Sequence, residues 1–430
     1  MELRNLILSM LFLVLALVAG IHAIGAFTDG GSSPEYQYLD MVPLSEFGQP
    51  DAMAGCCEVV DFMGTPYVLM TGVGEIKAVH GARETTYAVG KASFDLFLFT
   101  GQSNSLYYTD PQYYGSPSPL PPGVAFYLGT EGVTVDDSRD GRSTPLARPS
   151  NISGCGLVDI TAPDGSVRVA GSYPAFMYDY WKATGHRILV VNSGIGGNSI
   201  SSFYSMTGES SRWTVQVLDR TMEVCSGLCD LKPVAVLWSQ GEADIRRTVE
   251  WYEQRLETVV DRFCDGTYGT AFPHVLSTLP KHHGWESPIV PAQAQMDYAE
   301  EDPRFVVASK LPLYLPDDVS GREGDPIHYT QTVYGWMGEA FARSAASAMG
   351  SSPGPETLAY CPPVGEVASL PSMATAYGTS GDPVEAPILW GDIPEEEPRI
   401  VSGTVRPPYG YEPARRLGTT ATLVAEQGEI

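Results

Sequence analysis

Phe94-Asp95-Leu96-Phe97-Leu98-Phe99-Thr100-Gly101-Gln102-Ser103-Asn104-Ser105 decides the reading of the fold. The apolar run over 94–99, broken only by Asp95, has no polar face, so it predicts a strand buried on both sides of a sheet. It ends in a glycine turn that holds up a serine. Parallel sheets gather their chemistry at the carboxyl ends of their strands. A serine there becomes a nucleophile only with a base beside it and donors for the oxyanion.

Outward from this strand the chain alternates. Residues 172–184 predict a helix, 187–191 a second buried strand, 211–225 a helix and 233–238 a third strand. Ile245, Val249, Tyr252, Leu256, Val259, Val260 and Phe263 then follow the three-four spacing of one helix face. Residues 274–276 and 305–308 read as further strands, and Val333, Met337, Ala340 and Phe341 mark a last helix. This alternation predicts an α/β fold, a mostly parallel sheet covered on both faces. Upstream, residues 28 to about 50 read as a linker, and 58–92 as a few short antiparallel strands separated by Gly and Pro. From about residue 351 the pattern stops. The last 80 residues hold twelve prolines and the run Glu395-Glu396-Glu397, and predict an extended tail or strap.

The 430 residues allow a large α/β domain with extensions, and 43% apolar residues supply its core. Lys+Arg is 26 against Asp+Glu 51, a net charge of −25. That excludes nucleic acid as the main partner and disfavours docking on anionic lipid, since both need clustered basic residues. At the amino end an apolar run spans residues 6–27, followed within it by Ala23-Ile24-Gly25 as a small-x-small cleavage pattern. It reads as a secretory signal or a retained membrane anchor, which places the rest outside the cytoplasm, secreted or anchored. The seven cysteines allow up to three disulfides, with no readable pairing, and contain no CxxC pair for a zinc ribbon.

Three further blocks carry polar chemistry. Gly324-Asp325-Pro326-Ile327-His328 precedes the last helix and puts a carboxylate within reach of an imidazole. Asn192-Ser193-Gly194-Ile195-Gly196-Gly197-Asn198 follows the second strand and offers backbone N–H groups. It lacks the acidic partner of a dinucleotide loop. Trp238-Ser239-Gln240-Gly241-Glu242-Ala243-Asp244 ends the third strand with side chains too costly to bury alone, so they should face a polar cleft.

In this order, the Gly-Gln-Ser-Asn, Gly-Gly, Gln-Gly-Glu-x-Asp and Asp-x-x-His blocks resemble the SGNH-type hydrolases. Within them they resemble the sialate O-acetylesterase and acetylxylan esterase group, carbohydrate esterase family six. The resemblance implies a three-layer sandwich of SGNH or flavodoxin-like type over residues 92–350. It implies a serine esterase that removes O-acetyl groups from a carbohydrate, without metal or cofactor. Ser103 would be the nucleophile, His328 the base and Asp325 its orienter. The oxyanion would meet the backbone N–H groups of Ser103 and of Gly196 or Gly197, and the Gln240 side chain. Gln102, Asn104, Asn198, Glu242 and Asp244 would support them. Ser105 stands where the group usually has Met, and Asn198 where Thr or Ser is commoner, which bears on substrate shape. The competing reading is a non-catalytic surface carbohydrate-binding or structural protein on the same fold. The acetylated carbohydrate would be the partner, and the membrane would be touched only through residues 6–27 if they are retained.

Overall fold

In the computed structural model the described residues are 35–50, 55–106, 118–129, 135–137, 142–144, 152–280, 290–316, 319, 321–322, 325–394, 399–414 and 417–424. The expected signal or anchor at 1–27 lies outside them. The centre is a seven-stranded sheet. Its strands are β1 (Ala92–Gly101), β2 (Ala125–Gly129), β3 (Gly156–Asp159), β4 (Ile188–Asn192), β5 (Cys229–Ser239), β6 (His274–Thr278) and β7 (Phe305–Ser309). Their order is β3-β2-β4-β1-β5-β6-β7. All neighbours pair in parallel except β3, which runs antiparallel to β2. The coarse expectation of an α/β fold therefore holds.

β1 is central because it is apolar on both sides. Phe97 and Phe99 enter one core cluster, and Leu96 and Leu98 the other. The helices around this sheet are α1 (Ser103–Leu106), α2 (Tyr173–Thr184), α3 (Ser201–Tyr204), α4 (Glu209–Cys225), α5 (Val249–Asp265), α6 (Val290–Glu301) and α7 (Gln331–Ala348). Phe176 and Tyr180 of α2 and Met337 and Phe341 of α7 share the Phe97 side. Val217 of α4, Leu256 and Phe263 of α5 and Tyr298 of α6 share the Leu96 side. α5 starts at Thr248, whose hydroxyl accepts from the Trp251 N–H, and stops at Gly266 in the left-handed region. One further strand, β8 (Asp325–Tyr329), pairs with Gly321–Arg322 just before α7.

Both flanks correct the sequence reading. The expected linker at 28–50 carries strands from Glu35 onward. Glu35–Gln37, Met41–Pro43 and Gln49–Pro50 join the hairpins of residues 57–90 in two small sheets around Phe47, Val68, Met70 and Ile76. The expected tail after 351 is a folded β unit. Seven strands, in the order Gly365–Val367, Gly418–Leu423, Arg399–Val405, Pro383–Trp390, Met373–Gly378, Glu356–Tyr360 and Tyr411–Pro413, form a sheet with its own core at Leu358, Ala376, Ala386 and Val405. Among the described residues of the unit the prolines sit at strand ends and between strands, and at Pro387, whose missing N–H the antiparallel pairing tolerates. The unit is fastened to the central domain. The Ser309 hydroxyl donates to the Thr379 carbonyl (2.6 Å), Lys310 N–H to the Ser380 carbonyl (2.7 Å) and Thr357 N–H to Glu339 (2.8 Å).

Candidate active site

The register of the three central strands builds the site. Ser239 at the end of β5 lies opposite Gly101 at the end of β1, and Asn192 at the end of β4 lies opposite Phe99. Gln102-Ser103-Asn104, Ser193 to Asn198 and Gln240 to Asp244 therefore leave the sheet at one end. Gly101 makes this possible. Its φ is +128°, and a Cβ there would lie 2.0 Å from the Ser239 carbonyl oxygen. Only glycine lets β1 and β5 close so tightly before the chain turns into α1.

Ser103 is the first residue of α1 and is nearly buried, at 8% exposure. A helix's first residues have no intrahelical acceptor for their N–H groups, so this backbone donor has none within α1. α1 packs against β8, the strand that holds Asp325 and His328. The Asp325 side chain lies outside the described residues, and His328 is half-buried. The helix that follows is tied to the serine loop, because the Tyr334 hydroxyl donates to Asn104 Oδ1 (2.9 Å). Asn104 in turn donates from Nδ2 to Glu242 Oε1 (2.7 Å). Burial pushes the Glu242 carboxyl above the usual range, against the lowering effect of its hydrogen bonds. Its Oε2 is buried without a partner among the described residues.

Gln102 and Asp244 stitch the loops together. Gln102 Oε1 accepts from Ala243 N–H (3.0 Å) and lies 3.4 Å from Gly241 N. Asp244 accepts from the Ser199 hydroxyl (2.6 Å) and Ile200 N–H (2.8 Å). The Gln240 side chain is held by several partners. Its Nε2 lies 2.7 Å from Asp244 Oδ2, with the Asn198 carbonyl at 3.3 Å and Gln102 Oε1 at 3.4 Å. Its Oε1 accepts from the Tyr252 hydroxyl (2.5 Å). Two amide hydrogens meet three acceptors in a side chain that is 1% exposed. These contacts hold the amide in this arrangement. It holds the glycine loop, the serine loop and α5 in one place.

The Gly196–Gly197 turn is exposed, closed by Asn198 N–H to the Ile195 carbonyl (3.3 Å), with Gly197 at φ +73°. Asn198 donates to the Ser210 hydroxyl (3.0 Å), so it braces this turn against α4. Ser105 is fully buried and donates to the Gln102 carbonyl (2.6 Å). Gly194 accommodates it, since a Cβ there would lie 2.0 Å from Ser105 Oγ.

Three supporting residues escaped the sequence reading. Tyr252 appeared only as one of an apolar stripe, although a stripe tyrosine needs a hydroxyl partner when buried. Gln295 on α6, fully buried, donates to the Gln240 carbonyl (3.0 Å). Tyr334 carried no signal beyond lying six residues after His328. Among the described residues no group of His, Cys, Asp and Glu is placed to hold a metal ion, and no helix is long and apolar enough to cross a membrane.

Residues 150–347 match the family model of carbohydrate esterases described as sialic acid-specific acetylesterase. The chain resembles the sialate O-acetylesterases. The matched stretch contains the Gly-Gly, Gln-Gly-Glu-x-Asp and Asp-x-x-His blocks, while the serine block lies before it. No curated protein matches the chain. Among solved structures it is similar to NanS, at 12% identity over 60% of this chain and 98% of that one, with a TM-score of 0.40. It is similar to a carbohydrate acetylesterase from Xanthomonas citri, at 14% identity over 86% and 79%, with a TM-score of 0.39. It is also similar to a variant acetyl xylan esterase from Geobacillus stearothermophilus, at 16% identity over 61% and 97%, with a TM-score of 0.33. The family match supports an ester hydrolase acting on acetylated carbohydrate.

Proposed function

We propose that the protein is an exported serine esterase that removes O-acetyl groups from a carbohydrate, on a three-layer sandwich of SGNH type. The observation that carries the reading is the place of Ser103. It stands on a one-turn helix at the carboxyl end of the central strand, against the strand that bears His328. Ser103 Oγ attacks the acetyl carbonyl and gives its proton to His328, which Asp325 orients. The backbone N–H groups of Ser103 and of Gly196 or Gly197 stabilise the oxyanion. His328 then protonates the departing sugar oxygen as the acetyl-serine forms. A water molecule loses a proton to His328, attacks the ester and releases acetate, restoring Ser103. Gln240, Asp244 and Glu242 act through the loops they position.

The test is acetate release from a small activated acetyl ester by residues 28–430. Ser103→Ala should abolish it, and Asp325→Asn should lower kcat by roughly 10²–10⁴-fold with the fold intact. Equal rates in wild type and Ser103→Ala would remove the serine mechanism and favour the non-catalytic reading. Export, with residues 6–27 cleaved or retained, is checked by cell fractionation and by amino-terminal sequencing of the mature chain.

A further inference from the structure

Asn192 closes β4, and its side chain touches both loops that flank Ser103. Its Nδ2 donates to the Ser105 carbonyl (2.7 Å), inside the short helix that Ser103 opens. The last carbonyls of a helix have no intrahelical donor, so Asn192 supplies one from outside. Its Oδ1 accepts from the Gly194 N–H (2.8 Å), at the root of the glycine loop. Nδ2 also donates to the Tyr173 hydroxyl of α2. Both amide hydrogens and the amide oxygen are thus engaged, and one planar group joins the serine helix, the glycine loop and the covering layer.

The place of this amide gives it leverage. Ser105 is bonded twice to the Gln102 carbonyl, through its N–H (2.9 Å) and its hydroxyl (2.6 Å), so a shift of Ser105 carries the Ser103 turn with it. The two loops are in direct contact here, since a Cβ at Gly194 would lie 2.0 Å from Ser105 Oγ. Asn192 therefore sets their spacing at the closest approach. Gln240 grips the far end of the glycine loop, with Nε2 3.3 Å from the Asn198 carbonyl. The exposed Gly196–Gly197 turn lies between these two grips. Its remaining tie to β1, Ile195 N–H to the Gly101 carbonyl, is long at 3.3 Å.

Oxyanion donors stabilise a transition state only when they are already aimed at the place where charge develops. We infer that Asn192 is a positioning residue for the oxyanion hole, holding the glycine loop at a fixed distance from Ser103 by bonding to Ser105 and Gly194 at once. The inference rests on the proposed esterase reading, in which the N–H groups of Ser103 and of Gly196 or Gly197 receive the oxyanion. Asn192 acts through these two loops. Its loss should therefore be felt in the transition state, lowering kcat and leaving ground-state binding as it was.

The experiment compares Asn192→Ala, Asn192→Asp and Tyr173→Phe with wild type on a small activated acetyl ester. Asn192→Asp keeps an acceptor for the Gly194 N–H but turns a carboxylate oxygen toward the Ser105 carbonyl. It nearly preserves the shape, so it carries the test if Asn192→Ala folds poorly. Tyr173→Phe removes the third contact of the same amide and leaves both loops joined. The Asn192 variants should lose about ten- to a hundred-fold in kcat, with KM within about two-fold. They should bind methylboronic acid, which mimics the tetrahedral intermediate, more weakly by the same factor. Tyr173→Phe should melt lower yet keep kcat within about three-fold. Reaction with a fluorophosphonate counts the competent serines, and that count should match wild type. The pH profile of kcat should keep its shape, because Asn192 contacts neither Asp325 nor His328. Unchanged kcat in the Asn192 variants, an equal fall in Tyr173→Phe, a fall that only follows a lower serine count, or a shifted pH profile would overturn the inference. The esterase reading fails on a different result, wild-type hydrolysis by Ser103→Ala, so the two are separable.

Discussion

Gly101 and Gln240 show how much of the site is settled by single residues. Gly101→Ala would force a Cβ to 2.0 Å from the Ser239 carbonyl at a φ of +128°. Backbone strain alone costs about 1–3 kcal/mol, and the clash must be relieved by parting β1 from β5. We expect a loss of stability above about 3 kcal/mol in denaturant titrations, with esterase activity falling as the serine loop shifts; a wild-type midpoint would mean the turn is looser than its geometry. Gln240 makes a different prediction. With its amide committed to Asp244 and Tyr252, Gln240→Ala leaves a buried carboxylate oxygen and a buried hydroxyl short of partners. The expected cost is about 1–3 kcal/mol in the denaturation midpoint, accompanied by lower kcat. Undiminished stability with a large fall in kcat would favour the oxyanion role for the side chain.

At the scale of elements, the strands that build the site were legible because their burial is extreme. The runs at 94–99, 187–191 and 233–238 are strands; the first and third are longer than the apolar run and the second is shifted by one residue, because the ladder continues through Gly101, Asn192 and Ser239. The site blocks were legible for the same reason, since polar residues directly after buried strands must be doing something other than packing. What escaped is the support. α6 has no sustained apolar period, yet it carries Gln295 beneath Gln240. The carboxyl-terminal sheet was hidden by its prolines and small residues. Arg399–Val405 does alternate, burying Val401, Gly403 and Val405, but the glycine masks the period. Glycine is needed there because a Cβ at 403 would meet the Trp390 ring at 2.8 Å and Ile388 at 2.6 Å. This sheet also completes the central core, to which it contributes Ala359. A chain ending at Gly350 would strip partners from buried Ser309 and from Glu339. We expect that chain to melt at least several degrees lower, or to be insoluble; an unchanged melting temperature would make the sheet a passenger. A milder probe is Tyr334→Phe, which unties α7 from Asn104. It should cost about 1 kcal/mol in stability and lower kcat without raising KM.

Over the whole molecule the balance of charge is strongly acidic, −25 at neutral pH, and part of that charge is held at an energetic cost. Asp179 on α2 is the clearest case. Burial, with Glu339 of α7 beside it, raises its carboxyl from 3.8 to about 7, while Lys182 and Arg343 lower it and Glu412 of the carboxyl-terminal unit raises it slightly. Glu339 is raised as well, chiefly by burial. A carboxyl raised in the folded state binds its proton more tightly there than in the unfolded chain. Its contribution is therefore fully present below pH 4, and is lost as pH rises through about 7. The same pair lies where α2, α7 and the β unit meet, so ionisation loads the junction between them. Asp179→Asn keeps the shape and removes the titration. The variant should melt at the wild-type temperature near pH 4 and above it at pH 8. The gap should open between those values and shrink in high salt only where the neighbouring charges are exposed. Parallel melting curves for the two proteins from pH 4 to pH 8 would show that Asp179 keeps an ordinary carboxylate, and that the acidic surface alone sets the pH dependence of this fold.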